Sequence, residues 1–123
     1  MPMRSKWINH QDRQIFWQDF SHHDLLETDA VKEELRAVQE VVLREPKNSV
    51  LVLADFRDTQ VGKDLLDLMI DSSSVTKEYV KKTAVLGVVG TKRVLADVLV
   101  RLTGQELTIF DDIEAAKNWL IQE

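Results

Sequence analysis

Two stretches of this chain are apolar without alternation, and they restrict the fold more than any other feature. "SVLVLADF" (49–56) and "KTAVLGVV" (82–89) run through Val, Leu and Ala without a polar residue at every second position. A strand wetted on one side would alternate, whereas one that is apolar on both faces belongs inside a sheet covered by helices on each side. Sheets of that kind are mostly parallel and are joined by helical crossovers, so the flanking segments should be helices.

The flanks carry that periodicity. In "SHHDLLETDAVKEELRAVQEVVLREP", Val31, Leu35, Val38 and Val42 fall on one helical face, with Lys32, Glu33, Glu34 and Arg36 on the other. Thr28 or Asp29 can cap this helix and Pro46 marks its end. "TQVGKDLLDLMIDS" places Val61, Leu65, Leu68 and Met69 on one stripe; "GTKRVLADVLVRLTG" does the same with Val94, Leu95, Val98, Leu99 and Leu102, and Gly104 stands at a helix C-cap. After "ELTIF", the segment "DDIEAAKNWLIQE" turns Ile113, Ala116 and Leu120 inward, with Trp119 at the border and Asp111 and Glu114 as a capping box. At the other end, "KWINH" and "RQIFWQDF" flank the polar turn "QD" and read as a hairpin.

The expected fold is therefore an α/β sandwich forming a single domain over residues 1–123. Its mixed, mostly parallel sheet has about five strands led in by an N-terminal β-hairpin, and four to five helices cover it. A chain of 123 residues is long enough to close a core, and 44% apolar with 30% charged residues is the balance of a folded protein. With no Cys there is no disulfide, thiolate metal site or thiol nucleophile, which agrees with a cytoplasmic location. No apolar run approaches the roughly 18 residues of a membrane span, and no secretory h-region opens the chain. A net charge of -5 speaks against a general nucleic-acid binder.

The chain resembles the STAS superfamily, and within it the SpoIIAA-like branch with STAS/CRAL-TRIO-like character. The resemblance runs from "REPKNSVLVLADF" through "VKKTAVLGVVGTKRVLADVLVRLTG" to "LTIFDDIEAAKNWL". The most specific parts are a basic-then-Ala-Val-x-Gly strand, an Arg-x-Thr-Gly helix end, and Phe-Asp leading to Ala-x-x-Trp-Leu. Such a resemblance implies a regulatory switch: a phosphorylated Ser just after a central strand, at the start of the next helix. It also implies a non-catalytic module that binds a protein partner, or a small anionic or lipid-like ligand in the CRAL-TRIO manner.

"IDSSSV" (70–75) looks like that switch but falls after the second helix, where Ser73 or Ser74 reads as the N-cap of a short helix "VTKEYV". At the switch position the chain has "DFRDTQVG", with Thr59 as its hydroxyl. Two groups of candidate binding residues remain. Gly90, Thr91, Lys92 and Arg93 follow a strand at a helix start, where free amides and two cations can hold phosphate or carboxylate; the same residues also read as a Thr N-cap with solvated charges. Asp55 and Asp58, beside Thr59, lie at the carboxyl end of a central strand, where open α/β sheets place ligands. The reading favoured by how often Asp caps helices is that one caps the next helix and the other pairs with Arg57. His22 and His23 are adjacent rather than spaced to converge on a metal, and His10 belongs to the first strand, so no cofactor or metal is expected. Trp7, Trp17 and Phe16 suggest core packing under the first helix, the wall of an apolar pocket, or an interface that would serve a homodimer. No nucleophile–base constellation can be assembled, so no enzymatic activity is expected.

Overall fold

The computed structural model describes residues 4–21, 28–58, 63–87 and 107–122. Strands β1 (Lys6–His10) and β2 (Arg13–Asp19) form the hairpin. Helix α1 (Thr28–Leu43) leads to β3 (Val50–Asp55), and α2 (Lys63–Thr76) leads to β4 (Val80–Leu86). Strand β5 (Leu107–Phe110) and helix α3 (Ile113–Ile121) close the described chain. The expected helix over "GTKRVLADVLVRLTG" lies outside the described residues.

The sheet has five strands in the order β1-β2-β3-β4-β5, with β1 and β2 antiparallel and all other neighbours parallel. The hairpin turn is Gln11-Asp12, both with positive φ (51° and 65°), the pattern of a type I′ turn whose twist matches that of the strands it joins. β3 is the middle strand and every one of its residues is buried, as its lack of alternation requires.

Because side chains alternate along a strand, this middle strand feeds two cores. Val50, Val52, Ala54 and Phe56 join Val31, Val38 and Val42 of α1, with Met69 of α2 packed against them. Leu51 and Leu53 join Ala84, Leu86 and the α3 residues Ala116 and Leu120 on the opposite face. The expected α1 stripe is the one that is buried.

Several local expectations are corrected. α2 continues through Asp71-Ser72-Ser73-Ser74 to Thr76, so the serines lie within a helix and cap no second one. Serine costs a helix only about half a kcal/mol per residue, which packing readily outweighs. The Thr76 hydroxyl, which donates to the Ser72 carbonyl at 3.0 Å, lies within the same turn. The N-cap of α3 is Asp112, not Asp111: its carboxylate accepts from the Ala115 amide at 3.1 Å, while Glu114 pairs with Lys117. Glu34, expected on the wet side of α1, is buried. It accepts from the amides of Arg4 (3.0 Å) and Ser5 (2.7 Å) and from the Ser5 hydroxyl, pinning the start of the chain to the helix.

The tryptophans separate. Trp7 stacks on Phe16 at 4.9 Å on the α1 face, whereas Trp17 belongs to the α3 face and not to the core under the first helix. The end of α3 is held from β4: Lys82 Nζ donates to the carbonyls of Trp119 (3.1 Å) and Gln122 (2.8 Å) and lies over the Trp119 ring. A cation at that end suits the helix dipole.

Candidate functional site at the carboxyl end of the sheet

The carboxyl ends of β2, β3 and β4 converge on one acid. Asp55 is the last residue of β3, and its side chain is fully buried. A bare carboxylate there would be prohibitively costly, so the surroundings must supply donors. Four converge on it: the Arg57 amide (3.1 Å), Arg57 Nε (3.0 Å), Arg57 Nη2 (2.7 Å) and Trp17 Nε1 (3.3 Å). Arg57 therefore grips both carboxylate oxygens from only two residues away, in the forked geometry that guanidinium groups favour.

Burial alone would raise the Asp55 pKa, but the Arg57 hydrogen bonds and charge, with the Trp17 bond, outweigh it and hold the group below the usual carboxylate range. The same bond raises the Arg57 pKa against its own desolvation, with Asp19 and Asp58 adding their charges.

The backbone makes this possible. The Phe20 amide donates to the Asp55 carbonyl (2.9 Å) and the Phe56 amide to that of Leu86 (3.0 Å), extending the ladder past the strand ends. Phe20 and Phe56 stack at 5.1 Å on the α1 face. The chain then crosses the exit of β4, where Gly87 has φ +77°. A Cβ on Gly87 would lie 2.6 Å from both the Arg57 Cα and amide nitrogen, so the glycine is what admits the Arg57 backbone. Asp58 follows with φ 58° in the left-handed region, which Asp tolerates better than most residues.

Asp19, at the end of β2, adds a second polar knot. It accepts from the Ser21 amide (3.0 Å), the Ser21 hydroxyl (2.6 Å) and Arg4 Nη2 (3.3 Å), while its own amide donates to the Ser5 hydroxyl (2.9 Å).

Of the residues singled out from the sequence, Asp55 and Asp58 stand together around Arg57. Thr59, Gly90, Thr91, Lys92 and Arg93 lie outside the described residues, as do His22 and His23. Trp17 as a donor to Asp55 and Gly87 as a platform for Arg57 escape the sequence reading. The second has a signal in the Ala-Val-x-Gly pattern, since a glycine ending a buried strand implies a close backbone approach. Among the described residues no group of three or more His, Asp or Glu side chains could hold a metal ion. No described helix is long and apolar enough to cross a membrane.

This architecture has a counterpart among known structures. The chain is similar to the crystal structure of an uncharacterized protein of the DUF3478 family from Shewanella loihica PV-4, described as having a SpoIIAA-like fold. The TM-score is 0.71 over 94% of this chain and 91% of that one. The fold is SpoIIAA-like. At 13% identity the likeness to that SpoIIAA-like protein is one of architecture. No protein-family model and no curated protein matches the chain.

Proposed function

We propose that this chain is a non-catalytic binding module of SpoIIAA-like STAS type, working in the cytoplasm by recognising a protein partner with the carboxyl end of its sheet. One observation carries the reading: Asp55, the acid best placed for chemistry, has both oxygens occupied by Arg57 and Trp17. A carboxylate held that way is a poor base, metal ligand or phosphoryl acceptor, because each role needs a free lone pair. It is a good anchor. It fixes an arginine whose side chain remains 45% exposed, and a cation fixed before binding loses little entropy when it meets a partner's carboxylate. Arginine is also a residue favoured at interface hot spots.

The position equivalent to the switch agrees with a module lacking the phosphoserine relay, since Asp-Phe-Arg-Asp-Thr stands there in place of an Asp-Ser loop. Affinity capture with immobilised chain, paired with native mass spectrometry, tests the proposal. The purified chain should fly without a bound small molecule and should retain a discrete protein, which Arg57→Gln releases while circular dichroism shows that variant folded. A stoichiometric co-purified lipid or anion would favour the ligand-carrier alternative and contradict this one.

A further inference from the structure

A groove of about 380 Å³ opens at the other end of the sheet, where β2, β3 and β4 begin. Trp7, Arg13 and Gln14 of the hairpin line it, together with Glu45, Asn48 and Lys81. That size falls within the usual range for small-molecule sites. Its rim is rigid. The Asn48 amide donates to the Glu78 carbonyl (2.8 Å), the Ser49 and Val50 amides to that of Tyr79 (both 3.0 Å), and the Ser49 hydroxyl to that of Pro46.

The strand register explains one lining residue. β3 pairs Val50 with Val80 and then Leu51 with Lys82, so Lys81 is passed over in a β-bulge. Bulges re-aim side chains, and this one belongs to a basic residue that lines the groove. Trp7, half-buried with its ring stacked on Phe16, is another lining residue. Glu45, just after α1, is half-buried and also lines the groove. Neither Lys81 nor Glu45 forms an ion pair among the described residues.

The groove thus offers a cation, an anion and an aromatic surface at once. A simple anion would meet Glu45, and a simple cation would meet Lys81; a molecule carrying both charges on substituents of one carbon is opposed by neither. We propose that this groove binds a free α-amino acid with a large apolar side chain, Lys81 facing its carboxylate, Glu45 its ammonium and Trp7 its side chain. This site lies at the opposite end of the strands from Asp55, so it stands or falls independently of the partner-binding proposal.

Titration calorimetry on the full chain with L-phenylalanine and L-leucine tests it, with 3-phenylpropionate and phenethylamine as the two half-molecules. The amino acids should bind, each half-molecule about tenfold or more weakly than phenylalanine, and Lys81→Glu and Glu45→Gln should each weaken phenylalanine binding by about tenfold, the scale of one lost charge contact. Both side chains reach the surface, so circular dichroism should show both variants folded. Absence of heat with both amino acids, half-molecules that bind as tightly as phenylalanine, or unchanged affinity in both variants would overturn the proposal.

Discussion

Asp55 and Arg57 are unequal partners, because one is fully buried and the other is 45% exposed. Truncating the arginine strands a buried carboxylate, whereas neutralising the acid strands an arginine that can turn to water. Arg57→Ala should therefore cost about 3 kcal/mol, the lower end of what breaking a buried pair costs. Asp55→Asn should cost about 1–2 kcal/mol, the scale of hydrogen bonds left imperfect. Urea unfolding of the two variants checks the order, and an Asp55→Asn variant less stable than Arg57→Ala would contradict it. Gly87→Ala acts on the same pair from below. Its methyl group would sit on the Arg57 backbone at a φ of +77°, so a loss of about 2 kcal/mol or more is expected. A melting temperature equal to that of the parent chain would show that the contact gives way freely.

The elements are where sequence patterns speak most clearly and also where they mislead. The α1 stripe of Val31, Val38 and Val42 is legible because apolar residues recurring every 3.6 positions match the face of a helix and no strand. The Gln11-Asp12 turn is legible because two polar residues between aromatic-rich runs suit a tight hairpin loop. The serine tract misleads, since Ser favours caps and turns in isolation while α2 carries it through to Thr76 as helix. That difference has a measurable sign. Replacing Ser72 and Ser74 together with Ala should stabilise the chain by up to about 1 kcal/mol if they are helical, as alanine is the better helix former. Were either a cap, the same change would cost about 1 kcal/mol. Glu34 misleads for a related reason: helical periodicity names a face, but it cannot foresee a neighbouring segment that arrives with the Ser5 amide and hydroxyl to bury a carboxylate.

Across the whole molecule, two unalternating runs specify a SpoIIAA-like sandwich because a central strand apolar on both faces has few architectures open to it. The candidate site is only half legible. Asp55 and Asp58 can be placed at the strand end from their position, and the Arg57 pairing follows from its spacing. The Trp17 contact cannot be foreseen, because it depends on β2 pairing with β3 so that Trp17 lies beside Leu53, one step from Asp55 on the same face. That contact helps to decide how the molecule responds to acid. Asp55 has a folded-state pKa below its ordinary value, so its contribution to stability is complete above that value and is lost as pH falls through the folded one. A binding module built on Arg57 requires this carboxylate to be an ionised anchor and not a reactive group. Carbon-detected NMR titration of the Asp55 carboxyl reads this directly. A midpoint below 3.8, abolished as a feature by Arg57→Ala, is the predicted result, and a midpoint at or above 3.8 in the parent chain would contradict it.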